Sequence, residues 1–127
     1  MSTPSFRFKR RERLKRRDAI RAVFGRGKGV TCFGARLFVL QNGLPYNRIA
    51  FTFARHFGTA AERNRARRLG REAYRHIRDG LKPGYDVVLL VYPRKNGAKK
   101  EAAQKDVFAV RMEQLKILFS KAGLYGN

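Results

Sequence analysis

The hydrophobic positions change their period several times along the chain, and each change marks an element. In "RIAFTFAR", from Arg48 to Arg55, the period is two. Ile49, Phe51 and Phe53 fall on one side of a strand and Ala50, Thr52 and Ala54 on the other. The bulky side is expected in a core. The small side either is half-buried or lines a groove. "YDVVLLVYP", from Tyr85 to Pro93, is apolar without alternation, which predicts a strand covered on both faces. Upstream, Val30 to Gln41 reads as extended, with a short strand near Val30 and a stronger one through "ARLFVLQ". The turn chemistry of Asn42-Gly43 and Pro45 closes it.

Elsewhere the period is helical. From Ala60 to Arg78, at about 100° per residue, Ala66, Leu69, Gly70, Ala73 and Ile77 gather on one face. Asn64, Arg68, Arg71, Arg75 and Arg78 fall opposite, and Arg63, Arg65 and Arg67 occupy the flanks near the N-terminal end. Ala66 and Gly70 are small and one turn apart, which predicts close approach to a sheet. Such an approach would offset the roughly 1 kcal/mol that Gly70 costs as a helix former. A shorter helix is expected over Ala19 to Phe24, capped by Asp18 and stopped by Gly25 and Gly27. Its Ile20, Val23 and Phe24 share a face. That stripe either packs entirely or leaves Phe24 open to stack on a base. A last helix, Glu101 to Ala122, has an apolar side of Val107, Val110, Leu115, Leu118 and Phe119, after the basic loop "RKNGAKK". Strand, helix and strand in succession suggest a βαβ unit. Without a repeat or a linker, residues 1–127 read as one α/β domain.

Charge changes the picture from fold to partner. The chain carries 30 Lys+Arg against 9 Asp+Glu, a formal +21. Such self-repulsion is relieved by a polyanion. Residues 1–17 form a basic arm, expected to stay extended without a partner, since eight of the eleven residues from Arg7 to Arg17 are Lys or Arg. No apolar run approaches the roughly 18 residues of a spanning helix, and the basic N-terminus lacks the apolar core of a secretory signal. Cys32 is the sole cysteine, so neither an intrachain disulfide nor a cysteine zinc cluster is expected. A cytoplasmic protein fits.

No catalytic constellation is apparent. Glu62, Glu72 and Asp79 lie among arginines, which favour the ionised carboxylate and disfavour a general acid. His56 and His76 lack metal-ligand spacing, and "GRGKG" lacks the ending of a phosphate loop. Arginines that fork onto phosphate oxygens account for the helix better. RNA is favoured over DNA, because no two-helix reading motif or zipper is present. A sheet face with small residues and flanking aromatics also suits a single strand.

"GTAAERNRARRLGRE" resembles the signature of the bacterial ribonuclease P protein subunit, with Arg63-Asn64-Arg65, Arg67-Arg68 and Arg71-Glu72 at its centre. "RRERLKRRDAIRAVFGRGKGV", "LFVLQNGLPYNRIAF" and "GYDVVLLVYPR" resemble that family's arm and first helix, central strands and last strand, in order. The resemblance implies an α/β sandwich, ribosomal protein S5 domain 2-like, with about four strands, three helices and a left-handed βαβ crossover, against the usual right-handed rule. It implies an endoribonuclease that removes the 5′ leader of precursor tRNA. The catalyst would be ribonuclease P RNA, with Mg2+ held mainly by that RNA and no catalytic or metal-binding residue in this chain. Ribonuclease P RNA and precursor tRNA would be the partners, with neither DNA nor membrane. Arg63, Asn64, Arg65, Arg67, Arg68 and Arg71 would bind RNA. Ile20, Phe24, Thr52 and His56 would line the leader cleft. Ile20 stands where the family commonly has an aromatic, Gln41 near a frequent Tyr, and "TFARHFG" replaces a usual Ser-x-Ser-Lys-Lys run. The alternative reading is a non-catalytic RNA-binding protein, such as a ribosomal protein or RNA chaperone.

Overall fold

The computed structural model describes residues 10–93 and 100–125, with side chains except at 100–107. The arm before Arg10, the loop 94–99 and the Val107 side chain lie outside the described residues. Strands β1 (Lys28–Cys32), β2 (Ala35–Gln41), β3 (Arg48–Phe53) and β4 (Tyr85–Val91) form one sheet in the order β1-β2-β4-β3. β4 is antiparallel to β2 and parallel to β3. Helix α2 (Ala60–Ile77) carries the chain from β3 to that parallel neighbour, completing the expected βαβ unit. Helices α1 (Arg17–Arg26) and α3 (Lys100–Ala122) complete an α/β fold of four strands and three helices.

The central place of β4 explains its uniform apolarity. Val87, Leu89 and Val91 enter the larger core, beneath α2 and α3, with Leu37, Ile49, Phe51, Leu115, Leu118 and Phe119. Val88 points the other way, into a smaller core with Leu14, Val23 and Ala50 under α1. Each fully buried Val, Leu or Phe contributes about 1.5–3 kcal/mol. The bulky and small sides of β3 divide between these cores as the period of two predicts. At the other end of β4, buried Asp86 accepts from Arg48 Nε and Nη2 at 2.8 and 2.7 Å and from Asn42 Nδ2 at 2.9 Å. This ties the β2–β3 turn to the sheet.

α2 begins with a capping box. Glu62 N–H donates to Thr59 Oγ1 at 3.2 Å, and the Glu62 carboxylate accepts from Thr59 N–H at 3.4 Å. Ala66, Gly70, Ala73 and Ile77 are buried, as the helical projection requires, and so is Tyr74, which widens the inward face. A Cβ built on Gly70 would lie 2.7 Å from the Phe51 ring. The glycine is where helix and strand meet most closely.

Four expectations change. Asp18 is not the cap of α1: the helix begins at Arg17, its cap position Arg16 makes no side-chain bond, and Asp18 sits in the first turn beside Arg16. Gly25 lies inside α1, and Gly27 ends it. Arg78 is not on an open face. It closes α2, and its side chain, 10% exposed, pairs at 2.8 Å with Glu12. Finally, residues 10–14 of the arm are docked: Arg10–Glu12 forms a 3-10 turn, Arg13 bridges Ile49, and Leu14 N–H donates to Ile49 O at 3.0 Å. Burial of Leu14 and the Glu12–Arg78 pair outweigh like-charge repulsion over this stretch.

Burial, joined by the Glu12 carboxylate, pushes the Tyr74 phenol well above its usual range, with Arg78 and a hydrogen bond to Asn47 opposing. The unfolded chain therefore releases this proton at a lower pH than the folded chain does. The stability tied to it is complete below about pH 10 and is lost as pH rises further. Urea unfolding across that range should show a flatter alkaline decline for Tyr74→Phe than for the parent chain. The variant should lose about 1 kcal/mol at neutral pH with the hydrogen bond. An undiminished decline would show that other groups set alkaline stability.

Candidate nucleic-acid interface

The capping box and the Gly70–Phe51 contact fix the roll of α2, and the roll fixes what its arginines face. Arg63, Asn64, Arg65 and Arg68 are exposed, whereas Arg67 and Arg71 are half-buried on the flank. Arg67 Nη1 donates to Asn64 Oδ1 at 3.0 Å while its guanidinium lies 5.3 Å from the Phe53 ring centroid. Those two contacts hold the side chain in place. Arg63 donates a long bond, 3.4 Å, to Gly58 O. Of the remaining helix arginines, Arg75 pairs with Glu72 at 2.8 Å and Arg78 with Glu12. The helix thus carries an open group, Arg63, Arg65 and Arg68, near its N-terminal end and a paired group, Arg75 and Arg78, near its C-terminal end.

Between them stands a cationic cluster that sequence reading left unassembled. Burial and then the charges of Arg13 and Arg67 lower Arg71 from its ordinary pKa. Three guanidiniums from two distant segments are therefore close enough to repel. Arg13 was foreseeable only as one of many arm charges. Its Ile49 bridge brings it to α2, and a contact 36 residues along the chain leaves no local signal.

The opposite face of the sheet holds the other candidate residues. Alternation puts Ala50 and Thr52 of β3, Val88 and Leu90 of β4, and Phe38 of β2 on the α1 side. α1 covers only the Ala50–Val88 end. Phe24 remains 38% exposed and meets Phe38 edge-on, with ring centroids 4.8 Å apart. It therefore packs and stays open at once. Ile20 is committed to the small core. Thr52 lies in one row with Leu90, where α1 no longer covers the sheet, and its hydroxyl donates to Leu89 O at 3.0 Å. His56 is exposed in the turn beyond β3, with a positive φ of 66°. Phe24 and Thr52 thus border one open strip, Ile20 supports it from beneath α1, and His56 stands past its end.

Asp86, Glu12, Glu72 and Asp18 each meet an arginine, and Glu62 caps α2. Among the described residues no three His, Cys, Asp or Glu side chains gather to hold a metal. None of their helices is long and apolar enough to cross a membrane.

The family description Ribonuclease P matches residues 8–116. The chain is 35% identical over 101 residues to the ribonuclease P protein component of Clostridioides difficile, covering 79% of this chain and 85% of that one. It is 33% identical over 111 residues to the component from Thermotoga maritima, covering 87% and 92%. The solved RNase P protein from Thermotoga maritima has the same fold, with a TM-score of 0.69, 25% identity, and coverage of 87% and 96%. The Staphylococcus aureus RNase P protein shares the fold at a TM-score of 0.71 and 15% identity, over 91% and 98% of the two chains. The chain belongs to the ribonuclease P protein family, the protein components of a ribonucleoprotein endoribonuclease of tRNA processing.

Proposed function

We propose that this chain docks on ribonuclease P RNA through the open arginines of α2 and lays the 5′ leader of precursor tRNA along the uncovered strip of the sheet. The carrying observation is the run of exposed Arg63, Arg65 and Arg68 on α2, beside half-buried Arg67 and Arg71, a density of positive charge that a phosphate backbone would neutralise. Asn64 orients Arg67 for the same contact. Arginine gives forked geometry to phosphate as well as charge. Phe24 offers a ring edge and face to a leader base, Thr52 and Ile20 shape the floor, and His56 stands at the exit.

The chain itself binds and orients. Asp18, Asp86, Glu12 and Glu72 pair with arginines and Glu62 caps α2, and on this reading Mg2+ and bond cleavage would belong to the RNA. The work would be done in the cytoplasm, on tRNA precursors rather than DNA. Reconstitution with a bacterial ribonuclease P RNA at low magnesium tests this. Precursor cleavage should be stimulated over RNA alone, and protein alone should cleave nothing. Absence of stimulation would sink the proposal, and cleavage by the protein alone would reassign the chemistry.

A further inference from the structure

Glu12 is the sole acid among residues 1–17, where basic side chains crowd. Its side chain is 13% exposed against Arg78. Arm and helix are both positive, so their contact needs a counter-charge, and Glu12 supplies one. The residues that follow Glu12 give the contact its consequence. Arg13 pairs in parallel with Ile49, on the outer edge of β3. Bridge partners share a face of a sheet, and successive residues take opposite faces. Leu14 accordingly enters the small core with Ala50 and Val88. Arg13 stands with Ile49 on the side that α2 covers. Its charge is felt there by Arg71, about two turns before Arg78 on α2. On the other side of Glu12, the Arg11 guanidinium lies 5.0 Å from the Tyr46 ring centroid, at the β2–β3 turn.

We infer that Glu12 is a positioning residue for the RNA interface: its pair with Arg78 holds Arg13 beside Arg67 and Arg71 before RNA arrives, so that the arm and α2 present one phosphate-binding face. The inference rests on the reading of α2 as the RNA-docking helix. Its physical content is preorganisation. Guanidiniums that repel one another separate in a free protein unless something else holds them. Leu14 anchors the arm downstream of Arg13 and Glu12 anchors it upstream, so Arg13 is fixed from both sides. A phosphate backbone then meets a gathered set of cations and does not have to order Arg10 to Leu14 as it binds. Glu12 makes no phosphate contact of its own, since a carboxylate repels one. Its effect on RNA passes through Arg13.

A double-mutant cycle on the full chain tests this. It is read as affinity for a bacterial ribonuclease P RNA across a salt series, at a temperature where thermal unfolding shows every variant folded. Arg13→Ala should lower affinity and flatten the log–log salt slope by somewhat under one unit, because one phosphate contact is lost. Glu12→Ala should lower affinity up to about tenfold at every salt concentration and leave the slope nearly unchanged, because the arm keeps its cations and loses only their placement. In a chain already carrying Arg13→Ala, adding Glu12→Ala should cost little more. Glu12→Gln keeps the shape of the side chain without its charge, and runs the same cycle if Glu12→Ala does not fold. A Glu12 variant that costs the same factor with and without Arg13 acts on the fold alone, which overturns the inference. So does a Glu12 variant that binds RNA as the parent does, or an Arg13→Ala chain with parental affinity and slope. In each of those cases the proposed function stands if replacing Arg63, Arg65 and Arg68 still weakens binding. If no arginine of α2 or the arm matters, both readings fall.

Discussion

Replacing Arg63, Arg65 and Arg68 together with alanine should lower affinity for ribonuclease P RNA on the order of a hundredfold at physiological salt. The slope of log affinity against log salt should flatten by about two to three units. All three side chains are exposed, and among the described residues none forms an ion pair. Their removal takes no contact from the core, and unfolding free energy should stay within about 0.5 kcal/mol of the parent. Filter binding or fluorescence titration across a salt series, beside urea unfolding, separates the two effects. Arg78→Ala should give the reverse pattern. It leaves Glu12, itself little exposed, without its 2.8 Å partner, and destabilises the fold with little change in salt slope. A triple variant that binds with the parental slope would remove α2 from the interface.

That contrast marks how far the sequence could be read. A helical projection separates inward from outward by angle alone. It placed Ala66, Gly70, Ala73 and Ile77 correctly, because the small residues define the line of closest approach. It misplaced Arg78, because a helix end is surrounded by whatever the chain brings there, and Glu12 arrives from 66 residues away. It omitted Tyr74, which is buried beside Phe119 with ring centroids 6.3 Å apart: α3 covers a sector of α2 that a two-layer picture leaves to solvent. The capping box went unread, although Thr59 and Glu62 in "TAAE" have the defining spacing.

The candidate site divides along the same line. Local period exposed the open arginines and the small side of β3. The aromatic border and the Arg13–Arg67–Arg71 cluster depend on register and on a bridge between distant segments, which no window on the chain contains. Gln114 is a further case. Its Nε2 donates to Phe33 O at 2.9 Å and its Oε1 accepts from Arg111 at 2.6 Å, pinning the β1–β2 turn to α3 through buried polar groups. In the sequence Gln114 is one more polar residue of an amphipathic helix. The register of the sheet is held at this end by that clasp and at the other by Asp86.

Gly70→Val should be the most damaging single change on α2. Its Cβ would meet the Phe51 ring at 2.7 Å, and Phe51 is buried between helix and sheet, so neither side has room to move. Overpacking of this kind costs about 2–3 kcal/mol, only slightly offset by valine's better helix propensity. For a chain of this length the loss corresponds to a fall in Tm on the order of 10 °C. RNA affinity should fall as well, because displacement of α2 rolls its arginines away from Arg13. Gly25→Ala supplies the opposite sign. Gly25 is also inside a helix, but a Cβ there meets nothing within 4 Å, so the substitution should stabilise by up to about 1 kcal/mol. Thermal unfolding of the two variants side by side decides the matter: if both glycines tolerate a side chain equally, the closeness of α2 to β3 is not what holds the arginine face in place.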